Sequence, residues 1–153
     1  MNKRLENNEK DKALEYIKTK LFCRLGVSEI DGVGVFAYKD IPKGIDPFEP
    51  YEEYGHLFIT EEQSQDIDDA TLGIFQQQFF SPDGATFAQL DDRTYFPQYL
   101  NDSTLPNTVF DVTCKSGIRT TDFIKAGTEL TTSYAQTKTI LEKEMRKHTE
   151  QTK

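Results

Sequence analysis

Apolar residues recur at helical spacing near the start of the chain and at strand spacing after it. Ala13, Leu14, Ile17 and Leu21 share one face of a helix predicted over residues 8–20, with Asn8 placed to cap it. From Leu21 onward the apolar runs shorten, and Gly, Pro and Asp break them. Phe22, Arg24, Val27 and Ile30 begin the series, and Val33, Val35 and Phe36 follow. Further runs over residues 54–59, 75–80, 86–90, 108–113 and 116–120 each predict a short strand. Ser81-Pro82-Asp83-Gly84 reads as a turn, and Phe79, Phe80 and Phe87 beside it predict a hairpin. Residues 61–70 predict a short polar helix capped by Thr60. A last helix is predicted over 136–148, with Thr139 and Glu142 as a capping box and Ile140, Leu141 and Met145 on one face. The pattern is mainly β, with a helix at each end. Asp40-Ile41-Pro42-Lys43-Gly44 is echoed by Asp122-Phe123-Ile124-Lys125-Ala126-Gly127, and common turn chemistry is enough to account for the echo.

Composition narrows the classes. The 153 residues suffice for one core and are too few for a two-domain dinucleotide enzyme or a TIM barrel. Charged residues make up 29 %, yet 11 Phe and 7 Tyr give the core bulky material. The 18 Lys and Arg against 26 Asp and Glu leave a net charge of −8, which disfavours direct nucleic-acid binding and favours basic peptides. Cys23 and Cys114 form neither a disulfide framework nor a zinc cluster, as expected of an intracellular, cytoplasmic protein. A nuclear place is the eukaryotic version of that expectation. No apolar run approaches the ~18 residues of a membrane span, so no membrane partner is expected. Residues 1–12 are polar and carry no signal-type apolar segment. His56 and His148 are too separated for a metal site, and the Asp66, Asp68, Asp69 run lacks the glycine and glutamate of a calcium loop, so no metal is expected. A Cys23–His56 nucleophilic pair has no supporting motif.

Three short segments carry candidate chemistry. Gly32-Val33-Gly34, set between apolar residues, reads most simply as a tight hairpin; each glycine also permits positive φ and a close ligand approach. It lacks the third glycine and following helix of a dinucleotide fingerprint. Tyr99-Leu100-Asn101-Asp102-Ser103-Thr104-Leu105-Pro106-Asn107 reads as an ordered turn in which Asn101 offers a donor and an acceptor. Gly127-Thr128-Glu129-Leu130-Thr131-Thr132-Ser133-Tyr134 reads as a strand ending in a tyrosine.

In this order, with Ile41-Pro42-Lys43-Gly44 after the first, the segments resemble the SET-domain family of protein lysine methyltransferases. The resemblance covers residues 21–135. It implies a SET-type fold of small curved β-sheets with a knot-like core, N- and C-terminal helices flanking it. It divides the chain into an N-terminal helical extension (1–20), a SET-like catalytic domain (21–135, with a variable insert at 52–95) and a C-terminal helix (136–153). It also implies S-adenosylmethionine as cofactor, bound by Gly32, Val33, Gly34, Phe36, Tyr99, Asn101 and Asp102. Tyr134 matches the closing tyrosine beside the transferred methyl group, and Tyr54 is matched to a channel tyrosine.

The implied activity is methyl transfer to a lysine side chain of a protein; the alternative is a catalytically degenerate SET-like binding or scaffold module. The implied partner is a basic protein or peptide, such as a histone-like tail. Glu49, Glu52, Glu53, Glu61 and Glu62 could line its groove or form a solvated acidic face. Two departures stand out. The family's histidine after the asparagine is Asp102, and its cysteine is Thr104. No cysteine cluster follows Tyr134, so the helix carrying Ile140, Leu141 and Met145, or a homodimer partner, would have to close the channel.

Overall fold

The computed structural model describes residues 7–50, 55–59, 61–71, 86–90 and 96–151. In chain order these form α1 (Asn7–Lys20), β1 (Cys23–Val27), β2 (Val33–Ala37), β3 (Gly55–Ile59), α2 (Glu61–Ser64) and β4 (Thr86–Leu90). A 3-10 turn (Phe96–Tyr99) leads into β5 (Asn101–Asp102), β6 (Thr108–Phe110), β7 (Ile118–Thr120), β8 (Glu129–Thr132) and α3 (Tyr134–Gln151). No helix among the described residues is long and apolar enough to cross a membrane.

Helix α1 buries Ala13, Leu14 and Ile17, the stripe expected from their spacing. It is anchored at its far end. The Tyr16 hydroxyl donates to the Glu49 carbonyl at 2.8 Å, Lys20 pairs with Glu49 at 3.0 Å, and the Lys39 ammonium donates to the Lys18 carbonyl at 3.0 Å.

The strands make small sheets, as expected for a SET-type fold. The largest among the described residues runs β1-β2-β8-β5. Strands β1 and β2 are antiparallel from Cys23 opposite Ala37 to Val27 opposite Val33. Strand β8 pairs antiparallel with β2, placing Glu129 opposite Phe36, and β5 runs parallel to β8 with Asn101 opposite Thr131. Strands β3 and β4 form one antiparallel pair, and β6 and β7 another. The core is a cluster of Cys23, Val35, Ala37, Ile41, Leu100, Ile118, Ile124 and Leu130, with Phe22, Phe48, Phe96 and Tyr99 packed on its edge. Strand β5 is gripped from two sides by distant chain, the β1–β2 hairpin and residues 129–134.

Several boundaries differ from the sequence expectation, each for a local reason. The helix expected over 61–70 stops at Ser64. Asp68 starts a new turn there, accepting the Thr71 N–H at 2.8 Å and the Thr71 hydroxyl at 2.7 Å. The strand expected over 108–113 ends at Phe110, because the Asp111 carboxylate draws in the N–H and hydroxyl of Thr113 and turns the chain. Its partner begins at Ile118 rather than Ser116. Helix α3 begins at Tyr134, not Gln136, with Ser133 Oγ accepting the Gln136 N–H at 3.2 Å. The expected Thr139–Glu142 capping box does not form; the Thr139 hydroxyl donates back to the Ala135 carbonyl inside the helix. Strand β4 pairs with β3, and the arm expected to meet it across the Ser81–Gly84 turn, residues 75–80, lies outside the described residues. Phe79, Phe80, that turn and Thr60 lie outside the described residues.

Candidate active site

The Gly32-Val33-Gly34 hairpin, the Asn101-Asp102 strand and Tyr134 come together along the β2-β8-β5 part of the sheet. Three side chains tie them. The Ser28 hydroxyl donates to Glu129 Oε1 at 2.7 Å and accepts the Ile30 N–H at 2.9 Å, which shapes the hairpin tip. Asn101 Nδ2 reaches Glu129 Oε1 at 2.9 Å, Ser28 Oγ at 3.0 Å, and the carbonyls of Asp31 and Val33 at 3.1 and 3.3 Å. Asn101 is only 8 % exposed. Its two N–H groups face four acceptors, so the amide nitrogen expected to serve a ligand is committed inside the protein.

The two glycines do different work. Gly32 has a φ of +47° and open space around its α-carbon, so it is there for backbone freedom. Gly34 lies within β2 and has no positive φ. A methyl group there would overlap Glu129 Oε1 and come within 2.9 Å of its Cδ. Of the positive φ that each glycine permits, only Gly32 makes use; Gly34 makes room for a carboxylate.

Tyr134 is fixed at both ends by the β5 segment. Its hydroxyl donates to the Leu100 carbonyl at 2.8 Å, and its N–H donates to Asp102 Oδ1 at 2.8 Å. The Ser103 N–H donates to the Thr132 carbonyl at 2.9 Å and continues the strand pairing. The tyrosine remains 55 % exposed. It opens a helix rather than closing a strand, because Ser133 and Asp102 both accept N–H groups of the first turn.

The other expected site residues are placed as follows. Val33 is 49 % exposed at the hairpin tip, next to the exposed Ile30 and Val27. Phe36 is half-buried, its ring lying so close to Gly26 that a methyl there would sit 2.9 Å from Cδ2. Tyr99 is half-buried against the core. Tyr54, Glu52 and Glu53 lie outside the described residues. Of the remaining acidic residues, Glu49 is paired with Lys20 and Glu62 is exposed. Cys23 is buried in the core, where desolvation pushes its thiol above the ordinary range and removes it as a nucleophile.

Sequence reasoning missed Ser28 and Glu129, whose partners lie 101 residues apart, and Thr132. Thr132 is 6 % exposed and its Oγ1 has no hydrogen-bond partner. The fit of an adenosyl sulfonium can be tested on the hairpin tip. Exposed apolar Val27, Ile30 and Val33 are interleaved along the chain with exposed Glu29 and Asp31, residue types compatible with a cation carrying an aromatic ring.

A family model for the SET domain matches residues 32–135, well over half of the chain. Comparison with curated protein sequences gave no match. Among solved structures, the chain is similar to a Plasmodium falciparum candidate histone methyltransferase at 19 % identity, with 74 % of this chain and 93 % of that one covered and a TM-score of 0.36. It is also similar to a humanized mutant of the Chaetomium thermophilum Polycomb Repressive Complex 2 bound to the inhibitor GSK126. There the identity is 21 % and the TM-score 0.38; 76 % of this chain is covered, and the chain spans 15 % of that one.

Proposed function

The chain belongs to the SET-domain family, and from that membership we propose that it methylates a lysine side chain of a basic protein, with S-adenosylmethionine as the methyl donor. One observation carries the reading: the hairpin tip, β5 and Tyr134 are distant in sequence yet are hydrogen-bonded into one site. The donor supplies a methyl group on an electrophilic sulfonium. Gly32 and Val33 at the exposed tip are assigned to contact it, and Gly34, Asn101 and Glu129 hold that tip in shape. Phe36 and Tyr99 support the site from the core side. Residues 21–135 carry the site in this reading, and the segments 1–20 and 136–153 that hold α1 and most of α3 flank it.

A lysine attacks as the neutral amine, and in water it is mostly protonated. A narrow apolar channel shifts it toward the neutral form by desolvation. Holding the partners in line is then the main contribution, worth roughly 7–11 kcal/mol for a well-held pair. Tyr134 gives its phenolic proton to the Leu100 carbonyl, so its oxygen lone pairs are left to accept from the substrate amine. In this reading the exposed Leu141 and Met145 on α3 would give apolar cover to the bound lysine. A −8 chain attracts a basic tail, histone-like in composition.

Calorimetry with S-adenosylmethionine and transfer of a labelled methyl group into a cell lysate test the reading. Binding, together with labelling that falls in Tyr134→Phe, is the expected result. A folded protein with no detectable cofactor affinity refutes it. The second reading, a non-catalytic SET-like module, is favoured by Asp102 in the histidine position of the family's motif. It predicts an inert wild type that gains cofactor binding in Asp102→His.

A further inference from the structure

We infer that Asp102 acts on the reaction through Tyr134, as a positioning residue, and not as a contact of the cofactor. This rests on the methyl-transfer reading above. Three observations carry it. Asp102 Oδ1 accepts the Tyr134 N–H at 2.8 Å, across 32 residues of chain. The same short segment holds the other end of the tyrosine, since the Leu100 carbonyl accepts the phenol at 2.8 Å. Between these two contacts the backbones are locked, with Asn101 and Asp102 paired to Thr131 and Thr132 and the Ser103 N–H on the Thr132 carbonyl.

Tyr134 is the first residue of α3, and a helix start leaves its first N–H groups without intrahelical partners. Ser133 satisfies the Gln136 N–H, and Asp102 takes that of Tyr134. A carboxylate suits this place because it accepts strongly and complements the positive end of the helix dipole. A neutral imidazole offers one acceptor nitrogen and no negative charge. The aspartate therefore has a job at this position that does not require the cofactor. Without it the tyrosine keeps only the phenol contact, its backbone gains freedom, and the phenol oxygen loses its fixed place.

The test uses the full chain with Asp102→Ala and Asp102→Asn, each alone and combined with Tyr134→Phe. Hydrogen exchange at the Tyr134 amide, calorimetric affinity for S-adenosylmethionine, and turnover at saturating cofactor are measured on each. Asp102→Ala is expected to speed exchange at Tyr134 about tenfold, to lower kcat about tenfold, and to leave cofactor affinity within about twofold. Asp102→Asn keeps an acceptor oxygen and recovers most of both losses. In the Tyr134→Phe background, Asp102→Ala lowers kcat no further. Unchanged exchange at Tyr134, or a loss of cofactor affinity in place of kcat, overturns the inference while leaving methyl transfer standing. A wild type that neither binds the cofactor nor transfers a methyl group overturns both, which is a separate and recognisable outcome.

Discussion

The glycine at position 34 offers the sharpest test of how this site is built. Its α-carbon faces the Glu129 carboxylate, and a methyl group added there overlaps Oε1 and sits 2.9 Å from Cδ. Glu129 must then swing away, giving up the Ser28 hydroxyl at 2.7 Å and the Asn101 amide at 2.9 Å. Hydrogen bonds to a charged group contribute about 1.5–3 kcal/mol each, and Asn101 keeps its carbonyl partners, so Gly34→Ala should cost about 3 kcal/mol. Gly32→Ala meets no atom within 4 Å and strains only a φ of +47°. That costs about 1–2 kcal/mol. A double-mutant cycle separates the causes. In a Glu129→Ala background only Ser28 Cβ, 3.1 Å from the added methyl, still crowds it, and alanine in a strand is about 0.5–1 kcal/mol better than glycine, so Gly34→Ala loses most of its cost. Urea unfolding of the four variants measures this. Additive costs, or a Gly32→Ala as damaging as Gly34→Ala, would refute the reasoning.

Three further outcomes are expected. The Asp111 carboxyl is held down to about 2 by hydrogen bonds from the Thr113 hydroxyl and the Arg119 guanidinium. Its stabilisation is complete above the unfolded carboxyl range near ~4 and is lost as pH falls through about 2. The difference in Tm between wild type and Asp111→Asn should therefore shrink steadily over that window. Burial raises both thiols, but Cys23 is in the core and Cys114 is half-buried, so alkylation followed by mass spectrometry should label Cys114 first. Lys39→Met removes the ammonium that sits 5.1 Å from the centre of the Phe22 ring and donates to the Lys18 carbonyl, so it should cost about 1 kcal/mol and speed amide exchange in the last turn of α1.

What the sequence revealed was local. The Asn8–Leu21 periodicity gave α1, and the alternation around Gly32 gave the β1–β2 hairpin, because both are set by neighbours within a few residues. The start of α3 was misplaced because one of its caps, Asp102, comes from 32 residues upstream. The Ser28–Asn101–Glu129 hub was invisible for the same reason, with partners 73 and 101 residues apart. Ordered motifs located the pieces of the site, but not the bonds among them. Asn101 illustrates the gap: its place in the site was legible, while the commitment of its amide to the hairpin was not.

The echoed turns show how such distant bonds are set. Ile41 and Ile124 pair with each other, exchanging N–H bonds at 2.8 and 2.9 Å, and Asp40 accepts the Ala126 N–H at 2.9 Å. Gly44 and Gly127 close their turns with φ of +82° and +88°. Farther along the same two antiparallel segments, Val35 opposes Leu130 and Phe36 opposes Glu129. The stretch from Val35 to Ile41 is as long as that from Ile124 to Leu130, so all these pairs keep one antiparallel register past the turn at Gly127. Both isoleucines lie in the core, with almost no exposure. A slip by one residue would turn them out and would carry Glu129 away from Gly34 at the same time. Ile41, at the head of the Ile41-Pro42-Lys43-Gly44 turn, therefore acts on the site without touching it, by holding the register that brings Glu129 against Gly34 and Asn101.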